Sequence, residues 1–150
     1  MKFVVFKIDE EEYGIDIDYV KGIEERVDVV SMPKRPDYVL GIINLRGEVI
    51  PVFSIRRKFG KDEKQTSEAR LIIVSLGDNK VAFKVDEVSK ISDVEESQLH
   101  DLPTVCMNED TKYIKNITKI NDKLVIMIDL DNIVDSQQLK ELEKAVEESR

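Results

Sequence analysis

The sequence has few of the residues on which most enzyme and metal sites depend. His100 is the only histidine and Cys106 the only cysteine among 150 residues. Neither a site with two histidine ligands nor a cysteine–histidine catalytic pair can therefore be assembled within one chain. A Gly-rich phosphate loop, a GxSxG elbow and a CxxC motif are absent as well. We expect no enzymatic activity, no cofactor and no metal.

Three smaller features of the sequence also carry no catalytic or metal-binding signal. A lone cysteine cannot form an internal disulfide, which suits a reducing cytoplasm, and the sequence predicts Cys106 as a small buried side chain. The acidic run DLDNIVD resembles a calcium loop only at its start, because Ile133 occupies the fifth ligand position and no glycine follows. The acidic run DEEE at 9–12 is interpreted as a solvated turn.

Positive charge is also scarce. Lysine and arginine number 23 against 31 acidic residues, which gives a net charge of −8. Nucleic-acid affinity comes mainly from basic side chains that displace counterions, so DNA and RNA partners are disfavoured. No apolar run approaches the roughly 20 residues of a membrane-spanning helix, and no signal peptide precedes the first strand. We expect a cytoplasmic protein that does not insert into membranes.

Alternating apolar and polar residues, many of them β-branched, predict short β-strands along most of the chain. Turn residues separate these strands at 9–12, 46–47, 77–79 and 121–122. The short spacing favours small barrels over βαβ units. The six clearest runs are FVVFKI (3–8), YGIDI (13–17), EVIPVFSI (48–55), LIIVSL (71–76), KVAFKV (80–85) and KLVIMIDL (123–130).

A weak internal repeat organises the strands. A shift of 68 residues places KFVVFKI on RLIIVSL and YGIDIDYVKGI on VAFKVDEVSKI. A shift of 75 places the hairpin LRGEVIPVFSI on INDKLVIMIDL. Each half therefore offers about three strands and a closing hairpin, which predicts a mainly β fold of two five-stranded units. We expect subdomain 1 at about 14–65 and subdomain 2 at about 70–134.

Outside the barrels, the sequence predicts loops and one helix. Pro33 and Pro36 mark one exposed connection, and the polar run at 60–70 marks another. After Asp135 the apolar residues recur at helical spacing, and Asp135 with Gln138 fits a capping box. We expect a C-terminal helix over 136–149 that packs across the core together with the strand at 3–8.

Two places carry candidate binding residues. Val20 and Ile23 lie three apart and would line one face of a short turn or helix, or else pack in the core. Arg46, in NLRG, is a charged residue at a hairpin corner, so packing in the apolar core does not explain it. Gly47 can take a left-handed conformation and direct the Arg46 side chain outward. The guanidinium is then either a solvated turn charge or an interface anchor that binds carboxylates or carbonyls.

These residues resemble a known family. The runs EYGIDI, VLGIINLRGEVIPVFSIRRKFG and LIIVSLGDNKVAFKVDEV are similar to sequences of the CheW family of chemotaxis coupling proteins and of the CheW-like domains of related kinases. The resemblance extends over nearly the whole chain. It implies two SH3-like five-stranded β-barrel subdomains that share a core, with a C-terminal α-helix. It also implies a non-enzymatic adaptor that couples the cytoplasmic tips of methyl-accepting chemoreceptors to the histidine kinase CheA in bacterial signalling arrays.

The resemblance also implies where these partners bind. A groove between the barrels would receive the helical hairpin of the receptor, and CheA would dock at a barrel end through its own CheW-like regulatory domain. Gly22 stands where many members carry glutamate, so that carboxylate is lost unless Glu24 or Glu25 replaces it. Contacts between this chain and the CheW-like domain of the kinase would alternate and close a ring. The candidate residues for these contacts are His100 and Val105. The groove residues would be Val20, Ile23, Gly41, Ile42, Asn44, Leu45 and Arg46.

Two alternatives remain at this point. The chain could be a CheW-like domain of a larger protein, although Met1 directly before the first strand and the helical end at Arg150 favour a free-standing protein. A small-molecule-binding or catalytic barrel would instead need a pocket with convergent polar groups and a perturbed titratable residue. The sequence indicates neither.

Overall fold

The computed structural model describes residues 1–25 and 27–134 and arranges them as two five-stranded sheets, which confirms a mainly β fold. Sheet A has the strand order β8-β1-β2-β10-β9, and sheet B has the order β3-β6-β7-β5-β4. In chain order the strands are β1 (Lys2–Ile8), β2 (Glu11–Asp16), β3 (Val20–Glu24), β4 (Val39–Leu45), β5 (Glu48–Ser54), β6 (Arg70–Leu76), β7 (Asn79–Val85), β8 (Glu87–Asp93), β9 (Ile114–Ile120) and β10 (Lys123–Ile128).

The hairpins close at the predicted turns. β4 and β5 are joined by Arg46 (φ 50°) and Gly47 (φ 87°), and β9 and β10 by Asn121 (φ 50°) and Asp122 (φ 66°). Two central residues with positive φ are typical of type I′ turns, whose twist matches that of the flanking strands. The predicted turns at 46–47 and 121–122 are confirmed.

The internal repeat is confirmed in the topology. Strands β1 to β5 of the first half correspond to β6 to β10 of the second. When every strand is exchanged for its counterpart, the order of sheet A becomes the order of sheet B. A short helix follows the last strand of each half, α1 at Ile55–Lys58 and α2 at Leu130–Ile133. A bridge between Val30 and Ile42 partly closes sheet B, and the equivalent bridge between His100 and Ile117 partly closes sheet A. Each sheet is therefore an open SH3-like barrel.

The two halves exchange their first hairpins, and the predicted boundaries did not anticipate this. The hairpin β1–β2 pairs with β8 and β10 of the second half, while β6–β7 pairs with β3 and β5 of the first. A split into 14–65 and 70–134 therefore does not follow the strand pairing. The hairpins of the two halves have equivalent patterns, so the sequence does not show which half each one joins.

Three apolar clusters explain why the central strands are hydrophobic on both faces. On β1, Val4 and Phe6 face a core shared by the two sheets, whereas Phe3 and Val5 face a cluster inside sheet A. Ile72 of β6 likewise faces the shared core, and its neighbours face a cluster inside sheet B. Adjacent side chains of a strand point to opposite faces, so both faces are buried here. The predicted shared core is confirmed.

Two predictions about the chain ends have different outcomes. The strand at 3–8 is buried against the shared core, as predicted. The predicted helix at 136–149, with its capping box, lies outside the described residues. Among residues 1–25 and 27–134, no helix has the length and apolar character needed to cross a membrane.

The acidic run at 9–12 is exposed at Asp9, Glu10 and Glu11, as predicted for a solvated turn, but its last residue is buried. Glu12 is only 6% exposed. Asp9 accepts hydrogen bonds from Arg56 at 2.7 Å and from Lys61 at 3.0 Å, and its own N–H donates to Asp86 at 2.8 Å. The turn therefore joins a network of ion pairs that ties sheet A to α1 and to the end of β7.

This network predicts a dependence of stability on pH. The hydrogen bonds from Arg56 and then Lys61 lower the pKa of Asp9 to about 2, from an ordinary value of 3.8. Because the pKa is lower in the folded state, the stabilisation is fully present above about pH 4 and is lost as the pH falls towards 2. We expect Asp9→Asn to be less stable than the wild type at neutral pH, with urea midpoints that converge between pH 4 and pH 2. A constant difference over that range would show that the charge of Asp9 contributes nothing.

Candidate functional site

The corner between β4 and β5 is built by its own side chains. The amide oxygen of Asn44 accepts a hydrogen bond from the N–H of Gly47 at 3.1 Å, which fixes the turn. Arg46 occupies the first central position with φ 50°, where asparagine, aspartate and glycine are favoured. A left-handed conformation costs other L-residues roughly 1–2 kcal/mol. Turn chemistry therefore does not explain why arginine stands here.

The guanidinium of Arg46 is largely open to solvent. Its side chain is 78% exposed, and Nη2 lies 3.2 Å from Oε1 of Glu24. β3, which ends at Glu24, and β4 are the two edge strands of sheet B, so this ion pair links the two edges. An exposed pair of this kind contributes at most about 1 kcal/mol. A partner carboxylate or carbonyl can therefore replace Glu24 at little cost.

Gly41 has a structural role beneath this surface. Its φ is 151°, and a Cβ atom added there would lie 2.1 Å from the carbonyl oxygen of Val30. That carbonyl accepts a hydrogen bond from the N–H of Ile42 at 2.9 Å, and Val30 donates back to the Ile42 carbonyl at 2.8 Å. Gly41 thus permits the close approach that partly closes sheet B.

Gly41→Ala is expected to destabilise the protein by roughly 1–3 kcal/mol, because the backbone conformation becomes strained and Val30 must move away. Gly22→Ala is the matched control. The space around Gly22 is open, with its nearest neighbour an oxygen of Glu24 at 3.9 Å, so that variant should match the wild type or exceed it slightly. Urea denaturation of both variants measures the difference, and equal stabilities would contradict the role given to Gly41.

The other predicted groove residues differ in exposure. Asn44 is exposed, Ile42 and Leu45 are half-buried, and Ile23 is 40% exposed. Val20 packs against the shared core. The prediction that Val20 and Ile23 line one face of a short turn or helix is wrong. The 3-10 turn ends at Tyr19, and both residues lie on β3. Ile23, Ile42 and Asn44 therefore offer accessible surface, whereas Leu45 packs against the cluster inside sheet B.

A cleft beside Tyr19 is lined by residues that were not among the predicted groove residues. This cavity of about 140 Å³ is lined by Asp16 and Tyr19 on one side and by second-half residues including Lys115 and Asn116 on the other. The Asn116 amide oxygen is buried and has no hydrogen-bond partner among the described residues. The 75-residue shift aligns Asn116 with Gly41, so the repeat was the signal that could have identified it.

His100 and Val105 lie on the segment after β8 in the second half. The backbone of His100 pairs with Ile117, and His100 is exposed. Val105 is 91% exposed on the 3-10 turn Thr104–Cys106. Cys106 is exposed in the same turn, so the prediction of a buried thiol is wrong. A hydrogen bond from Thr111 to the Cys106 carbonyl, at 2.8 Å, anchors the turn through its backbone rather than through the thiol.

The described part of the chain offers no constellation for metal chemistry. Within residues 1–25 and 27–134 there is no group of three or more histidine, cysteine, aspartate or glutamate side chains placed to hold an ion. Asp129, in the run that resembled a calcium loop, instead caps α2 by accepting a hydrogen bond from the N–H of Asp131 at 3.1 Å.

Comparisons with known proteins agree with this architecture. A family model described as the CheW-like domain matches residues 2–138. The chain is 34% identical over 136 residues to the chemotaxis protein CheW of Helicobacter pylori, which covers 89% of this chain and 81% of the relative. It is 32% identical over 137 residues to the chemotaxis protein CheW of Bacillus subtilis, with coverages of 91% and 88%. The crystal structure of the scaffolding protein TtCheW from Thermoanaerobacter tengcongensis aligns with a TM-score of 0.82 at 33% identity, covering 91% of this chain and 89% of that one.

Proposed function

The chain belongs to the CheW-like domain family, and we propose that it couples the cytoplasmic tips of methyl-accepting chemoreceptors to the histidine kinase CheA. It is a chemotaxis scaffold protein and not an enzyme, in agreement with the names of its relatives. Such a protein acts by binding alone, so its function depends on surfaces that are accessible and rigid.

The Arg46 corner carries the receptor half of the proposal. A residue held in a disfavoured conformation, with its charge almost fully exposed, is better explained by a partner than by folding. Ile23 and Ile42 supply apolar surface for one face of a helix, and Arg46 with Asn44 supplies hydrogen-bonding groups for its polar residues. This combination suits the helical hairpin at a receptor tip.

The kinase half of the proposal uses a different part of the molecule. Val105 on its exposed turn, with His100 nearby in the chain, offers an apolar contact at the end of sheet A. CheA would dock there through its own CheW-like regulatory domain. Contacts between homologous folds that repeat head to tail can close rings, which would recruit this cytoplasmic protein to membrane-associated receptor arrays.

The two surfaces can be mapped separately on the full chain. A receptor-tip fragment added to the ¹⁵N-labelled protein should shift backbone amide signals of residues 23, 42 and 44–46. The regulatory domain of CheA should shift signals of residues 100 and 104–107. If both ligands shift the same signals, the chain does not bridge them and the proposal fails.

A further inference from the structure

A groove on sheet A has a composition that the fold does not require. It encloses about 610 Å³. Leu124 is 66% exposed at the start of β10, beside the half-buried Ile126. An exposed large apolar side chain in a groove that holds further apolar side chains marks a surface that a partner can bury. The lining residues are Glu10, Glu11, Glu12, Leu102, Ile117, Lys123, Leu124 and Ile126.

The charged side chains of this groove are unbalanced. Glu10 and Glu11 are exposed and form no ion pair with any residue that the structure describes, and Glu11 accepts one hydrogen bond, from the hydroxyl of Tyr13 at 2.8 Å. Glu12 is 6% exposed, and its Oε2 has no hydrogen-bond partner within the described ranges. Lys123 is the one cation among the described lining residues. The excess of carboxylates over cations gives the groove a negative potential, which favours a cationic partner.

The internal repeat provides a comparison within the same molecule. The residues of sheet B equivalent to Glu12 and Lys123 are Lys80 and Glu48, which form an ion pair at 3.0 Å. The charges are exchanged between the two sheets, yet the pair in sheet A is not formed. The residue equivalent to Leu124 is Val49, which is half-buried. The duplicated fold can thus neutralise and cover this position, and sheet A does neither.

We propose that this acidic groove binds an amphipathic segment of a partner protein that presents lysine or arginine beside apolar side chains. The apolar side chains of the segment cover Leu124 and Ile126, and its cations pair with Glu10 and Glu11. The Arg46 corner is cationic, so the two surfaces select partner segments of opposite charge. The groove therefore adds a third binding surface to those of the proposed function and does not depend on them.

Three synthetic peptides test the proposal on the ¹⁵N-labelled full chain. The first is a capped 14-residue peptide with leucine and arginine at helical spacing. The second has glutamate in place of each arginine, and the third has serine in place of each leucine. The leucine–arginine peptide should shift the amide signals of residues 10–12, 117 and 123–126, and the other two should bind at least about tenfold more weakly.

Variants identify the groove as the place of binding. Leu124→Ser and Glu10→Lys should each weaken binding of the leucine–arginine peptide about tenfold, whereas Ile91→Ser, at an apolar residue of β8 that is 58% exposed and does not line the groove, should not change it. The proposal is wrong if no peptide binds, if the shifts fall elsewhere, or if Leu124→Ser leaves the affinity unchanged. It is also wrong if the serine peptide binds equally well, because attraction to a chain of net charge −8 then explains the effect.

Discussion

Arg46→Glu is expected to weaken association with receptor tips by at least about thirtyfold while the protein remains folded. The substitution replaces an exposed donor by a carboxylate that repels acidic groups of a partner and also repels Glu24 beside it. The side chain buries little surface in the free protein, so the stability changes little. Co-sedimentation with receptor assemblies measures the association, and circular dichroism during heating checks the fold.

Two further variants separate the possible causes. Lys119→Glu makes the same change in charge next to the equivalent corner of sheet A, at a side chain that is 65% exposed, and should leave receptor association unchanged. Arg46→Asn removes the cation but suits a residue with positive φ, so its stability should equal or exceed that of the wild type. Normal association of Arg46→Glu would remove Arg46 from the site. Equal losses in Arg46→Glu and Lys119→Glu would indicate a general effect of charge.

Arg56→Ala is expected to lower the free energy of unfolding by about 3–5 kcal/mol, because the buried carboxylate of Asp86 then has no cation beside it and keeps only the N–H of Asp9 as a donor. Nη1 of Arg56 lies 2.7 Å from Asp9 and 2.8 Å from Asp86, and Nε donates to the carbonyl of Asp62 at 2.7 Å. The side chains of Arg56 and Asp86 are only 12% and 11% exposed. Urea denaturation followed by circular dichroism measures the loss.

The neighbouring arginine provides the control for this experiment. Arg57 forms an ion pair with Asp37, whose side chain is 81% exposed, so Arg57→Ala should cost only about 0–1 kcal/mol. A small and equal change in the two variants would mean that the network around Asp9 does not stabilise the contact between the sheets. A large loss confined to Arg56→Ala would support that role.

The positions of the strands could be predicted because a strand places alternate side chains on opposite faces. The six predicted runs overlap six observed strands, and the 68- and 75-residue shifts pair the elements of the two halves correctly. The turn at Arg46 and Gly47 was also identifiable, since glycine after a polar residue marks a reversal. Such patterns depend on residues that are close together in the sequence and not on strands that are distant in it.

Pairing between distant strands could not be predicted in the same way. β1 and β6 have similar burial patterns, so the sequence does not say that each joins the other half. The predicted burial of two single residues was wrong for the same reason. Cys106 was assigned to the core but is exposed, and Glu12 was assigned to solvent but is buried. Residue type sets the average burial of a side chain, whereas the tertiary contacts set its actual burial.

The candidate site was only partly accessible from sequence. Arg46 stood out because nothing local explained it, and the structure gives it an exposed side chain in a disfavoured conformation. Gly41 was assigned to the groove, yet the structure shows a backbone contact with Val30 that accounts for the glycine. The groove around Leu124 had no sequence signal, because its residues come from β2, β9, β10 and a loop.

The bridging role is tested most directly by sedimentation of three components together. The chain, a receptor-tip fragment and the regulatory domain of CheA are mixed, and the species that contain each component are identified by separate fluorescent labels. We predict one species that contains all three, with the receptor fragment lost from it when Arg46 is replaced by glutamate. Displacement of one partner by the other, with only two-component species at any ratio, would contradict the account.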